Sequence, residues 1–426
     1  MSTQKIAVIG SGISGLGSAF ILSEKHKVYL FEKDKKFGGH SNTITINKEE
    51  QQFKVDTGFI VYNDNNYPNF SKLLSHLKIR SNWSDMSLGF SFNDRKFEYA
   101  CENLDKLFAQ RKNFLNYKYI HCLLQLLRFN KEAPTQLRRG HLDGINLKEF
   151  LSKFNYSKFF TDHLILPMAG AIWSTSLNNI LDFPADRFVS FFINHDLMSG
   201  LKPSQKWRTI ENGSEQYVKK IISNRNIKSK LNSDVVKVDR DNKKCIVHFA
   251  DGQKKEFDHV VFAISPTIIK SILSNKTPTE IKIFSKFKIS RNKAVLHSDI
   301  KLMPKLKKVW SSWNFVHSGP SNLREDPPGV IYWMNRLQNI SKKYPFFVSL
   351  NPKDNIDEKK IYYETNYYHP QFNIETVEAQ KEIEKIQGVN GIWYTGAWLG
   401  NGFHEDGFSS AINISNKFNS LPKWLR

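Results

Sequence analysis

The chain opens with short apolar runs separated by glycine turns. Ile6-Ala7-Val8-Ile9 is apolar throughout, rich in β-branched residues and closed by glycine, which predicts a parallel strand buried on both faces. A helix over 14–25 follows, then Val28-Tyr29-Leu30-Phe31 as a second buried strand. Residues 42–54 alternate like a hairpin, 68–77 read as an amphipathic helix, and 87–100 as a hairpin turning at Asn93-Asp94. The region 104–132 reads as helical, dense in Phe, Leu and Tyr yet carrying Lys106, Arg111, Lys112, Lys118, Arg128 and Lys131. Asn146 is placed to cap a helix over 147–154. The stretch 163–173 is apolar all round, which demands burial or a place on a cavity wall, and a helix over 185–198 carries Phe188, Phe191 and Phe192.

The second half returns to strands. Asn212-Gly213-Ser214 precedes a helix over 215–223, with strands at 227–231, 235–239, 245–249 and 260–264. Further strands are expected at 294–297, 309–314, 330–337, 346–350 and 362–367, then a helix over 376–386, a strand at 392–395 and a closing helix. The pattern predicts an α/β fold. Segments 1–80, 205–266 and 385–426 form a discontinuous Rossmann-like domain, and 81–204 with 267–384 form an inserted α+β substrate domain, part helical lid and part mixed sheet.

Chemistry enters at the first turn, Gly10-Ser11-Gly12-Ile13-Ser14-Gly15. Gly10 permits the tight turn, Gly12 lets the backbone approach a pyrophosphate, and Gly15 lets the helix pack on the strand. The helix begins with free N–H groups aimed at the anion. Glu32, twenty residues after Gly12 and followed by Lys33, ends the second strand where its carboxylate can accept both ribose hydroxyls of an adenosine. An ordinary strand–turn–helix would not need that acid, so the unit is read as dinucleotide-binding.

Gly38-Gly39-His40-Ser41 begins six residues after Glu32, and this E-x5-GG arrangement resembles the second phosphate loop of FAD enzymes of the amine oxidase and phytoene desaturase superfamily. Those enzymes usually carry Arg after the glycine pair; His40 replaces a permanent cation with a titratable one. The stretches VDTGFIVYN, LPMAGAIWS, AVLHSD, SSWN, YWMNRLQ and GAWLGNGFHEDG resemble one group within it, the bacterial FAD/NAD(P)-binding flavin-containing amine oxidoreductases, whose relatives include enzymes acting on unsaturated acyl chains. The resemblance implies FAD as cofactor and an amine-oxidase-type FAD-binding domain. It implies Asp56, Thr57, Gly58 and Phe59 beside the isoalloxazine, the Val235 backbone at the adenine, and Ala263 where a strand re-enters the first sheet. It also implies Gly396 at the pyrophosphate and the amides of Gly407 and Phe408 facing the ring. The acid usual after the first of these glycines is Ala397 here, and Glu405 or Asp406 is expected to substitute. His404 and Glu405 are the acid–base candidates, and Tyr62, Trp173, Trp313 and Trp333 the candidate walls of a substrate cavity.

Composition changes the picture in two places. The formal charge of +21 suits an anionic membrane surface or a dispersed basic exterior, and no nucleic-acid motif accompanies it. Three cysteines, odd in number and widely spaced, point to buried thiols in a reducing compartment, with neither a disulfide scaffold nor a metal site. The first strand starts within five residues of the N-terminus and no apolar run approaches the ~20 residues of a membrane span, so a cytoplasmic protein is expected, peripheral at the inner membrane face at most.

The leading expectation is an FAD-dependent oxidoreductase that desaturates or isomerises an unsaturated or methyl-branched lipid acyl chain by hydride transfer to flavin N5. An amine oxidase is the second reading. A flavin-bearing lipid-binding protein without turnover is the third.

Overall fold

The computed structural model describes residues 3–198, 205–240, 244–317, 324 and 329–425. The expected boundary at residue 204 lies outside them. Strand Lys5–Ile9 occupies the middle of a five-stranded parallel sheet, ordered Ile227–Lys230, Lys27–Phe31, Lys5–Ile9, His259–Phe262, Ile392–Tyr394. Ile6 pairs with Val28 on one side and His259 on the other.

Side chains alternate across this strand, so Ile6 and Val8 feed one core while Ala7 and Ile9 feed another. The first is closed by the entry helix Ile13–Leu22 and the closing helix His404–Lys417, which pack against each other. The second is closed by an antiparallel meander, Val235–Arg240, Cys245–Phe249 and Lys254–Phe257. A sheet covered on both faces explains why its strands read as unbroken apolar runs.

A second sheet has seven strands, ordered Ile361–Gln371, Lys288–His297, Phe347–Leu350, Val330–Trp333, Trp313–Val316, Leu88–Phe92 and Phe97–Ala100. Every neighbouring pair is antiparallel except Trp313–Val316 with Leu88–Phe92. Helices between residues 104 and 194 pack a phenylalanine-rich core against its far end.

Three elements depart from expectation. The helical region 104–132 is broken into Leu104–Leu107, a 3-10 turn Arg111–Leu115 and a long helix Tyr117–Arg138. The side chains of Asn103 and Asn116 accept from the backbone N–H of Lys106 and Tyr119, so each starts a helix instead of continuing one. The strand expected at 330–337 ends at Trp333 and gives way to a helical turn, Met334–Leu337. Asn335 closes that turn by donating to the carbonyls of Ser341 and Tyr344 and accepting from the Phe346 amide. The strand expected at 309–314 begins only at Trp313, because Asn314 bonds back to Ser311 and forms a turn.

A buried ion pair ties three elements of the first half-structure together. Arg240 places Nη1 2.8 Å and Nη2 2.5 Å from the Glu280 carboxylate, and the Tyr394 hydroxyl donates to the same group at 2.5 Å. The meander, helix Pro278–Phe284 and the last strand of the parallel sheet therefore share one carboxylate. Arg240→Met leaves Glu280 buried without its counter-charge, and the expected loss is about 3–5 kcal/mol, read as a lower urea midpoint. An Arg240→Met/Glu280→Leu pair recovers most of it; a single variant losing under about 1 kcal/mol refutes the assignment.

Candidate functional site

The site is built where backbones touch. Gly10 adopts φ +97, and a Cβ on Gly15 would lie 1.8 Å from the Gly10 carbonyl oxygen, so strand and helix meet with no room for a side chain. Gly12 is the opposite case: a Cβ there meets nothing within 4 Å. No side chain caps the helix that follows, which leaves its first amides available to an anion.

The second glycine pair is stitched onto the first. The Gly38 amide donates to the Ser11 carbonyl at 3.1 Å and to Ser11 Oγ at 3.2 Å. A Cβ on Gly39 would stand 3.1 Å from the Gly12 Cα. Glu32 Oε2 accepts from Ser11 N at 2.9 Å and Ser11 Oγ at 2.6 Å, and Oε1 accepts from Asp34 N at 3.0 Å. The acid thus orders both turns through Ser11, which fills Oε2, while Oε1 keeps an acceptor position toward a ligand. Lys33 is exposed and does not reach the cavity.

The far end of the chain completes the cradle. A Cβ on Gly407 would come within 2.8 Å of Ile13 Cγ2 and of Ser14 Oγ, so the closing helix abuts the first glycine turn. The amides do not fall as expected. Gly407 N is spent on the Phe403 carbonyl at 3.1 Å, and Phe408 is buried against Gly17 in the core. The helix starts at His404, so its unspent N–H groups belong to residues 404–406.

Both carboxylates expected to stand in for the acid missing at Ala397 are engaged by backbone N–H groups. Glu405 accepts from Asn69 N and Phe70 N at 3.0 and 2.9 Å, where it caps helix Pro68–His76. That engagement turns it away from acid–base work. Asp406 accepts from Phe403 N at 2.8 Å and lies against Gly400, closing its own loop; burial pushes its carboxyl up to about 6.

His404 lines the cavity with its ring stacked 3.6 Å from Phe59. Its Nε2 lies 2.9 Å from Ser41 Oγ and 3.3 Å from the Tyr217 hydroxyl, and burial holds it well below the usual imidazole range. His40 stacks on Tyr367 at 4.7 Å with a buried Nε2 that has no partner, and burial lowers it to about 4. His369, lowered by burial and by His40 to about 3, takes the Asn292 amide at 2.8 Å. Beside these rings run Thr57, Gly58 and Phe59, and Gly58 packs on the His40 carbonyl.

These groups border a cavity of about 360 Å³ that runs from Gly12, Ser14, Ala263 and Gly396 to Trp313, Tyr332 and Leu350. Of the four rings expected on its wall, Trp313 alone is there. Trp333 alternates with Tyr332 along one strand, so Tyr332 faces the cavity and Trp333 packs on Trp310 behind the sheet. Tyr62 is buried between Tyr67 and Phe70, and Trp173 among Phe183, Phe188 and Phe191. Val235 sits in the meander core, away from the cavity. His195, Trp207, Tyr367 and His369 line it without having been singled out in the sequence; the two-residue spacing of Tyr367 and His369 on one strand was the available signal.

The model of the flavin containing amine oxidoreductases matches residues 13–293. The chain belongs to this family. As a flavin containing amine oxidoreductase it is an FAD-dependent enzyme, and the residues present fit that cofactor: an open Gly12, an uncapped helix end, and the unpartnered His40 Nε2 beside the second glycine pair.

Solved structures with the same fold include the CLA-producing fatty acid isomerase from P. acnes, 15% identical over 97% of this chain and 98% of that one, with a TM-score of 0.69. Cyclohexylamine oxidase from Brevibacterium oxydans IH-35A is 13% identical over 98% and 100%, TM-score 0.68. Putrescine oxidase bound to putrescine is 11% identical over 98% and 99%, TM-score 0.67. A search of curated protein sequences finds no match.

Two predictions follow from this oxidoreductase's geometry. Gly12→Ala folds but binds FAD at least about tenfold more weakly, whereas Gly15→Ala destabilises the apoprotein; fluorescence titration and thermal melts read the two, and equal behaviour refutes the distinction. Asp406, raised from 3.8 to about 6 in the folded state, contributes stability that is complete below its unfolded value and lost as pH rises through 6. The stability of the wild type relative to Asp406→Asn therefore declines from about pH 4 to about pH 7, and a flat difference in urea midpoints refutes it.

Proposed function

We propose that this FAD-dependent oxidoreductase acts on an unsaturated or methyl-branched acyl chain, desaturating or isomerising it. The observation that carries the reading is the charge of the cavity wall. Among the described residues that line it, Lys288 is the one Asp, Glu, Lys or Arg, and it is exposed at the rim. The four histidines of the wall, His40, His195, His369 and His404, are all lowered by burial and stay neutral.

An uncharged, aromatic and aliphatic wall takes up a hydrocarbon chain at low cost and gives an ammonium ion no counter-charge. Ile60, Val61, Met86, Phe191 and Leu350 bind the chain and exclude water. Lys288 suits a carboxylate head at the rim. FAD, when bound, supplies hydride acceptance at N5. Gly12 and the uncapped helix amides hold its pyrophosphate, and His40 Nε2 offers it a hydrogen bond where relatives of this kind carry Arg. Trp313 contributes a buried indole N–H without a partner, which fixes the position of any polar group in the chain.

Amine oxidation is the competing reading, favoured by Trp313 and Tyr332 meeting edge to face at 4.9 Å on the wall. Anaerobic incubation of the holoenzyme separates them. Bleaching of the flavin by long-chain unsaturated acids, with several-fold weaker response to the free acid and an unchanged response to its methyl ester in Lys288→Gln, is the expected result. Bleaching by primary amines alone overturns the acyl reading, and bleaching by neither class, with no new or moved double bond in the recovered acid, leaves a flavin-bearing binding protein.

A further inference from the structure

We propose that the outer face of the helical unit docks on an anionic lipid bilayer. The inference rests on a different part of the molecule from the cavity and holds whichever substrate class that cavity takes.

Thirteen large apolar side chains are exposed among the described residues, and six of them fall between residues 104 and 127. They are Leu104 at 65%, Phe114 at 55%, Leu115 at 92%, Tyr117 at 75%, Leu124 at 58% and Leu127 at 66% exposure. Such a concentration departs from the single scattered apolar residues of an ordinary soluble surface.

Local structure explains why they point outward together. Helix Tyr117–Arg138 spends one side on the core through Tyr119, Cys122, Phe129 and Ala133. Tyr117, Leu124 and Leu127 recur at seven and three residues and share the opposite side. The 3-10 turn Arg111–Leu115 leads into that side with Leu115 at its end, and Phe114 is held by stacking on Phe108 at 4.0 Å. From Tyr117 to Lys131 the outward line runs roughly 20 Å along the surface.

Charge decides the occupant. Within 104–132 stand six lysines and arginines against Asp105 and Glu132. Arg111 pairs with Asp105, Arg128 with Glu132 and Lys106 with Glu102. Lys112, Lys118 and Lys131 are exposed and form no ion pair among the described residues. A second copy packed on this face by two-fold symmetry would set like charges against each other. Lipid phosphates accept the same lysines while acyl chains accept the leucines, the arrangement of an interfacial helix lying in the membrane plane. No helix among the described residues is long and apolar enough to cross a bilayer, so contact would be with one leaflet. The docked helix packs on helix Ala185–Asn194, whose Phe191 reaches the cavity wall.

Cosedimentation of the holoenzyme with vesicles of phosphatidylglycerol or of phosphatidylcholine tests the proposal. The expected result is binding to phosphatidylglycerol that weakens with salt. It becomes at least about tenfold weaker in Leu115→Ser/Leu124→Ser/Leu127→Ser and in Lys112→Glu/Lys118→Glu. Binding that is no stronger to phosphatidylglycerol than to phosphatidylcholine, or that survives both variants, overturns it. So does a wild-type dimer in sedimentation equilibrium that the triple variant makes monomeric. Tyr117→Trp supplies a readout independent of those variants: a blue-shifted emission on phosphatidylglycerol vesicles supports docking, and an unshifted one overturns it.

Discussion

Close approach of bare backbone organises this molecule. Gly15 lies on the Gly10 carbonyl, Gly39 on the Gly12 Cα, and Gly407 on Ile13 and Ser14, so three distant parts of the chain converge with no side chain between them. Each contact removes a Cβ that would force the layers apart, and together they leave one face open, the face of Gly12. The polar groups around it are then organised by proximity: Ser11 and Gly38 can bond because their backbones touch, and Glu32 can serve both turns at once. The open cradle at Gly12 is thus a by-product of how tightly strand, helix and loop are allowed to pack.

Desolvation governs the remainder of the cavity. Four half-buried imidazoles on the wall are lowered by desolvation, and no carboxylate stands near enough to retain their protons. Carboxylates close by are turned to structural ends: Glu405 caps a helix, Asp406 closes a loop, and Asp56 takes Thr43, Ser214 and Gln338 as donors in the turn before Thr57. The result is a low-dielectric chamber beside an anion-binding helix end. Those two environments border one cavity, which suits a cofactor with a charged pyrophosphate and a flat apolar ring.

How far the sequence reveals this depends on the range of the signal. The first parallel strands, the glycine turns and Glu32 are local patterns with strong steric causes, and they lie as the spacing predicts. The ends of the long helical region and the turn after Trp333 depended on single asparagines competing for backbone groups, a choice that periodicity does not register. Cavity walls are harder still. Trp333 and Tyr332 are adjacent in sequence and point to opposite sides of a sheet, so knowing which ring faces the cavity requires the register of the whole seven-stranded sheet. The resemblance pointed to the amides of Gly407 and Phe408, whereas the helix starts at His404 and its unspent amides precede Gly407, because the helix start was not visible in the residues alone.

The position of Lys5–Ile9 bears on how the protein is made. That strand is made before both of its lateral partners, one of which comes from residues 259–262, and the strand beyond that comes from 392–394. For most of translation the nascent chain carries an apolar β-ribbon with one side unpaired, a state that invites mispairing or chaperone capture. The cradle closes only when helix His404–Lys417 emerges, so acquisition of FAD follows the synthesis of that helix.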